Sequence, residues 1–313
     1  MRIVVTGGAG FIGGNLVHAM LGGGAEITVI DDLSTGSMDN VHPATTFRRL
    51  DIRTPEAAEA IVAARPEAIV HLAAQVSVAA SIDDPAFDHS VNVDGTRAIA
   101  EAAVAAGARR VLFASSAAVY GEPHELPLVE GSLTSPVVPY GASKLEAEGV
   151  LSDVLRPAGV DFAALRFSNV YGPRQRAEGE GGVVAEFASR MTTGVNPVIF
   201  GSGRQTRDFI YVADVVNAIA TALSTDVTLA APGPNGPAYN VSTGVETSVN
   251  MLAEGLRVAL RFPGVIERAE ARDGDVEASV LSPEKAAATF GWRAAVELQG
   301  GLAATAAWFA QQR

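Results

Sequence analysis

Tyr140-Gly141-Ala142-Ser143-Lys144 sets a phenol and an ammonium four residues apart, so that on a helix both project from one face. A free tyrosine ionises near pH 10, and making it a base at neutral pH costs about 4 kcal/mol. An ammonium ~4–6 Å away, across an effective dielectric of about 20, returns roughly 3–4 kcal/mol. The two quantities match, so Lys144 can turn Tyr140 into a competent base. Upstream, Ser115-Ser116 closes an apolar run whose end should meet that helix and bring a hydroxyl to it. Alone, a Tyr-x-x-x-Lys spacing is common on ordinary surface helices; it gains weight only beside a second constellation.

Thr6-Gly7-Gly8-Ala9-Gly10-Phe11-Ile12-Gly13 is that second constellation, with glycines at three-residue spacing between a strand and a helix. Gly7 allows the tight turn, Gly10 lets a pyrophosphate approach the backbone, and Gly13 lets helix and strand pack closely. Free amides and aligned peptide dipoles at the helix start supply positive potential for phosphates. Eighteen residues beyond Gly13, a second strand ends in Ile30-Asp31-Asp32. A carboxylate there can accept both ribose hydroxyls of an adenosine and repels a 2′-phosphate, which favours NAD over NADP. Asp31 is the better placed of the pair and Asp32 reads equally as a turn residue. Asp51-Ile52, after the next strand, either borders the adenine or caps a helix.

These loops need a frame. Ile3–Thr6, Ile27–Ile30, Ala68–Leu72, Arg110–Ala114 and Phe162–Phe167 are short apolar runs separated by Ala-rich segments, a pattern that predicts a parallel sheet with helices on both faces. The first helix carries Ile12, Leu16, Val17, Met20 and Leu21 on one face and stops at Gly22-Gly23-Gly24. Segments 92–106 and 140–156 are helical by composition. Beyond about residue 170 Pro and Gly become frequent and strands shorten. We therefore expect an α/β chain with a doubly wound sheet over 1–170 and a smaller α/β lobe over 171–313, with 208–225 returning to the main sheet.

Composition excludes other classes. The 313 residues are nearly half hydrophobic, which suits a packed core, and the formal net charge of −12 offers no basic stripe for nucleic acid or an anionic membrane. With no cysteine, disulfides, thiolate metal sites and cysteine nucleophiles are all excluded. The five histidines show no metal-ligand spacing, and His71, at a strand end, reads as structural. Met1-Arg2 runs directly into the first strand and no apolar run is long enough to span a bilayer, so the expectation is a cytoplasmic protein.

With these residues in place the chain resembles the extended short-chain dehydrogenase/reductases, and among them the UDP-glucose 4-epimerase branch. The likeness spans nearly the whole chain: TGGAGFIG at 6–13, HLAAQ at 71–75, Asn92 before Gly95-Thr96, SSAAVYG at 115–121, YGASK at 140–144, RFSNVYGPRQ at 166–175, RDFIYVAD at 207–214 and RDGDV at 272–276. The resemblance implies a Rossmann sheet holding NAD against Gly7, Gly10, Phe11, Ile12, Gly13, Asp31, Asp32, Asp51, Ile52, Leu72, Ala73, Ala74, Gln75, Asn92, Tyr140 and Lys144. Counting back from Val119-Tyr120-Gly121, it selects Ser116 over Ser115 as the hydroxyl on the reacting sugar oxygen. It also implies that Asn169, Arg207 and Arg272 hold a diphosphate and Asp275 a uridine ribose, with Val183, Val184, Val198 and Phe200 lining the pocket. Ser279 matches a position that is bulky in some relatives, and its small size hints that an N-acetylhexosamine fits. A homodimer through the two Ala-rich helices is implied as well.

The choice of reaction turns on two methyl groups. Related 4,6-dehydratases carry Asp-Glu directly after the hydroxyl residue, because eliminating water needs an acid and a base. Ala117 and Ala118 stand there in this chain, and the decarboxylases' usual Glu is also replaced by Ala118. Expected, then, is NAD-dependent 4-epimerisation of a UDP-hexose, glucose/galactose or N-acetylated, through a 4-keto sugar. The alternatives are a UDP-glucuronate epimerase or decarboxylase, a dTDP-sugar 4,6-dehydratase, a keto-sugar reductase, or an idle NAD sensor, which would be expected to lack Ser, Tyr or Lys.

Overall fold

The computed structural model describes residues 1–177, 182–233, 235–271 and 276–312. Strands β1 (Arg2–Thr6), β2 (Glu26–Asp31), β3 (Thr46–Arg49), β4 (Ala68–His71), β5 (Arg110–Ser116) and β6 (Asp161–Phe167) precede β7 (Asn169–Tyr171), β8 (Val198–Phe200), β9 (Thr206–Tyr211) and β10 (Ala238–Val241). Short strands β11 (Glu246–Ser248), β12 (Glu267–Ala269) and β13 (Ala278–Ser279) follow. The main sheet has seven strands in the order β10-β6-β5-β4-β1-β2-β3, all parallel. Its strands are buried on both faces, which is why β4 and most of β5 and β6 are continuous buried runs. The chain order reverses between β1 and β4, and the crevice beyond their carboxyl ends is where such sheets bind ligands.

Helices α1 (Phe11–Gly22), α2 (Pro55–Ala64), α3 (Val78–Asp83), α4 (Pro85–His89), α5 (Gly95–Ala106) and α6 (Pro139–Leu155) belong to the first half. The second half adds α7 (Val183–Thr192), α8 (Val212–Ser224), α9 (Val249–Ala259), α10 (Glu284–Phe290) and α11 (Leu298–Gln311). On one face of the sheet Leu16 and Val17 of α1 meet Val215 and Ile219 of α8. On the other, Ile61 of α2, Ile99 of α5, and Ala147 and Leu151 of α6 close a second core. α6 begins with Pro139 at its first turn, where the missing N–H costs nothing, so Tyr140 is fixed within the first helical turn. Among the described residues no helix is long and apolar enough to cross a membrane.

A separate apolar cluster, with Tyr171, Phe187, Leu252, Leu256 and Leu302, holds the C-terminal lobe of α7, α9 and α11 together with its small sheets. Between residues 208 and 225 the chain supplies the end of β9, in the lobe's sheet, and then α8, which packs over the main sheet. The strand that joins the main sheet from this half is β10, parallel to β6. Its Ala-Tyr-Asn-Val sequence carries no continuous apolar signal, because buried Asn240 is satisfied by long-range partners: its N–H donates to Glu130 Oε1 at 2.7 Å and its Oδ1 accepts from Tyr120 Oη at 2.6 Å.

Candidate active site

The glycine loop sits at the sheet's switch point. Gly7 adopts φ +69°, and a Cβ there would lie 2.6 Å from the Ala73 amide nitrogen, so the turn after β1 and the segment after β4 are in direct backbone contact. A Cβ on Gly13 would stand 2.2 Å from the Gly7 carbonyl oxygen, so the first turn of α1 packs flat on the loop. Gly10 caps α1 without a side chain, leaving the helix start open to an anion. Asp31 steadies this loop: its Oδ2 accepts from Ala9 N and its Oδ1 from Leu33 N, both at 2.9 Å. Burial raises its carboxyl above the usual range, opposed by those two amides. The carboxylate keeps lone pairs beyond these bonds, so open amides and an acid at the end of β2 fit a dinucleotide with a free ribose diol.

The neighbouring acids are less suited. Asp32 is exposed and accepts from Ser34 N at 2.8 Å within its own turn. Asp51 is bound by the Arg53 guanidinium, which lowers its carboxyl, and Ile52 is buried where a Cβ on Gly95 would meet its side chain at 2.6 Å. Phe11 and Ile12 are half-buried in the first turn of α1, and Leu72, Ala73 and Ala74 line the strand end behind Gly7.

Asn92 lies in a single π turn, Ser90–Asp94, and is only 2% exposed. Its amide pairs with the Gln75 backbone in both directions at 2.9 Å and reaches Ser143 Oγ at 3.1 Å. It is therefore a clamp joining the strand-end loop to α6. His71 completes the bracing. Thr96 gives its hydroxyl proton to the Asn92 carbonyl at 2.6 Å, so His71 Nε2 must donate to Thr96 Oγ1 at 3.1 Å and Nδ1 must accept from Thr6 Oγ1 at 2.7 Å. Burial, with the charge of Lys144, pushes this imidazole down to about 3, so it stays neutral and structural.

The two serines at the end of β5 separate onto opposite faces, as the pleat requires. Ser115 is buried and donates to Glu148 Oε1 at 2.5 Å. Ser116 is partly exposed, and its Oγ accepts from Ala118 N at 3.1 Å, leaving its own proton to point elsewhere. Tyr140 is half-buried, and its backbone N–H donates to Ser81 Oγ at 3.2 Å, which seats the start of α6 on α3. Lys144, one turn on, is 2% exposed; its Nζ donates to the Ala114 carbonyl at 2.9 Å and lies 5.9 Å from the centre of the Tyr140 ring. Burial draws the ammonium down to about 8, while the carboxylates of Asp88 and Glu148 oppose the fall.

Glu148 and Arg166 were not legible as site residues. Arg166 is fully buried and meets Glu148 through Nε at 2.9 Å and Nη2 at 2.6 Å; its Nη1 also reaches Tyr120 Oη at 3.1 Å. The signals were Glu148 falling two turns after Tyr140 on the same helical face, and Arg166 opening the RFSNVYGPRQ stretch with no role assigned to it. Through Ser115 this pair locks α6 to the end of β5. Glu148→Ala, which strands a buried guanidinium, is expected to cost about 3–5 kcal/mol. Urea titration checks this: Glu148→Leu with Arg166→Met should regain most of the loss, and a wild-type midpoint for Glu148→Ala alone would contradict the account.

Asn169 begins β7 two residues beyond Phe167, the register partner of Ser116, and pairs across to Phe209 of β9. Arg207, on β9, has Ser279 of β13 as its register partner. The lobe's sheet thus gathers Asn169, Arg207 and Ser279, which lie far apart in the chain. Val198 and Phe200 are half-buried on β8, flanking buried Ile199. Val184 is 1% exposed and packed into the lobe's core, while Val183, adjacent on α7, is half-buried. Arg272 and Asp275 lie outside the described residues. Among the described residues there is no cluster of three potential metal ligands.

Comparisons with known proteins agree with this geometry. The model of the NAD dependent epimerase/dehydratase family matches residues 3–242. The UDP-glucose 4-epimerase of Mycolicibacterium smegmatis is 40% identical over 315 residues, covering 99% of this chain and 98% of that protein. Among solved structures, UDP-glucose 4-epimerase from Thermotoga maritima with UDP-glucose superposes with a TM-score of 0.93 at 36% identity, covering 100% of this chain and 99% of that one. The Thermus thermophilus UDP-glucose 4-epimerase complex with NAD gives 0.89 at 38% identity, with 99% of each chain covered.

Proposed function

Because this chain belongs to the NAD-dependent epimerase/dehydratase family, we propose that it inverts carbon 4 of a UDP-hexose. The observation that carries this reading is Lys144 Nζ bound to the Ala114 carbonyl, two residues before Ser116 on β5, and 5.9 Å from the Tyr140 ring, with Ala117 and Ala118 where an elimination would need acids. Methyl groups transfer no protons, so these two positions supply no acid or base for an elimination, and the site is left with proton removal from a hydroxyl.

NAD, when bound, accepts a hydride from the sugar carbon and returns it to the opposite face, so net redox is zero. The chain's own residues handle the proton. Ser116, its oxygen occupied by the Ala118 amide, donates its hydroxyl proton to the sugar's 4-oxygen. Tyr140 removes the proton from the sugar's own 4-hydroxyl and later gives it back, while Ser116 only hydrogen-bonds to that oxygen. Lys144 stabilises the phenolate; with one N–H held by the Ala114 carbonyl, two remain to face the phenolate oxygen and a ribose hydroxyl. Asn169 and Arg207 hold the diphosphate, and Ser279 leaves space for an N-acetylated sugar.

Incubation with UDP-glucose, UDP-galactose, their N-acetylated counterparts and dTDP-glucose, with products resolved by anion exchange, tests the reading. The same mixture should be reached from either epimer of one pair, without added NAD. Loss of water would replace it with a dehydratase, and turnover only with stoichiometric added NAD would replace it with a keto-sugar reductase acting in reverse. We also propose a homodimer through α5 and α6, whose outward faces carry Val104, Ala105, Ala142 and Gly149; light scattering should give twice the mass of one chain.

A further inference from the structure

Segment 173–176 touches helix α1, which follows the glycine loop, and the loop after Asp31, although it belongs to the chain that follows β7. Asn15, in the second turn of α1, donates from Nδ2 to the Phe11 carbonyl and to the Pro173 carbonyl, each at 2.9 Å. Its Oδ1 accepts from Arg174 Nη1 at 3.2 Å, so one amide is committed on both sides to the segment. Arg174 holds a left-handed φ of +71°, and its stem covers α1 where a Cβ on Gly14 would lie 3.3 Å from Arg174 Cδ. Two residues on, Arg176 Nη1 donates to the Thr35 carbonyl at 3.0 Å, in the loop that begins at Asp31. Gln175, between them, ties the segment back to β7, its Nε2 donating to the Val170 carbonyl at 3.2 Å.

We propose that Asn15 and Arg174 are positioning residues for the cofactor: they fasten the segment after β7 to the phosphate-binding helix, and so set how long the dinucleotide stays bound between turnovers. The chemistry of the reaction gives this a purpose. A cofactor oxidised and reduced within one cycle is useful only if it stays, and escape requires the glycine loop and the loop after Asp31 to part. The segment bridges α1, the helix that the glycine loop opens, to the loop after Asp31 and resists their separation. It also begins four residues after Asn169, so the strand assigned to the substrate diphosphate and the helix assigned to the cofactor pyrophosphate form one braced unit.

The proposal rests on the NAD-binding reading, though not on which sugar is turned over. Holoprotein purified with its NAD is diluted into an excess of an NAD-consuming dehydrogenase and its substrate, and release of nucleotide is followed with time. Arg174→Ala and Asn15→Ala are expected to release NAD at least tenfold faster than wild type, with unchanged far-ultraviolet circular dichroism. Arg174→Lys, which keeps the stem over Gly14 but loses the planar fork, should fall between them. Release at the wild-type rate from both alanine variants overturns the proposal alone. Wild-type protein that neither retains NAD nor melts higher with NAD added overturns the cofactor reading and the proposal with it.

Discussion

Tyr140→Phe is expected to lower turnover by about a hundredfold to ten-thousandfold, the range associated with losing a positioned general base. Each factor of ten corresponds to about 1.4 kcal/mol of barrier, so the loss is of the same order as the energy that Lys144 supplies to the phenol. The ring, its packing and the backbone bond to Ser81 Oγ at 3.2 Å are retained in this variant, so the fold should be unaffected. Initial rates from product chromatography, with urea midpoints as control, measure it. A rate within threefold of wild type would remove the base from the mechanism, and the reading of the site with it.

Lys144 carries the second large effect, and its pH dependence separates activity from stability. Its ammonium is drawn by burial down to about 8, below the 10.5 of an exposed lysine. Catalysis that needs the ammonium is therefore complete below about pH 8 and is lost as pH rises through it. Stability changes in the opposite direction. The unfolded chain binds this proton more tightly than the folded one, so the buried charge costs stability below about pH 8, and that cost fades between 8 and 10.5. The groups facing the ammonium are Asp88 from α4, Glu148 and Tyr140 from α6, and His71 from β4, which is neutral throughout this range. Lys144→Met should cost roughly a hundredfold to a thousandfold in rate, the equivalent of about 3–4 kcal/mol of lost field. It should also abolish the limb near pH 8, leaving a residual rate that climbs toward the range in which an unassisted phenol ionises. Rate profiles from pH 6 to 10, beside denaturation curves over the same range, decide the matter. A wild-type rate that is flat to pH 9.5, or an unchanged limb in the methionine variant, would show that Lys144 does not hold the charge the reaction uses.

Other parts of the molecule respond differently to reading by sequence. The pairing of Asp31 with Ala9 was approachable because an acid at the end of a second parallel strand lies next to the end of the first. Asp32 and Asp51 are acids near neighbouring strand ends whose partners are local: the first accepts from Ser34 N in its own turn and the second from the Arg53 guanidinium. Val183 and Val184 differ by about 100° in direction on one helix, so packing decided which of the two is buried. Asn92 was recognisable as belonging near the cofactor, but its action as a clamp between Gln75 and Ser143 depends on partners 17 and 51 residues away.

What the sequence determined by itself is whatever depends on local stereochemistry: a turn that only glycine can make at Gly7, apolar runs long enough for buried parallel strands, and a phenol and ammonium one helical turn apart. Tertiary structure alone decided the rest. It set Ser115 against Glu148, recruited β10 to the sheet, buried Arg166 against Glu148, and laid segment 173–176 across Asn15 from 158 residues away. The physical reason is range. Dihedral preferences and helical spacing act over a few residues and are written in the order of the chain, whereas a buried charge or a bridging amide is satisfied by whichever partner the completed packing brings near it.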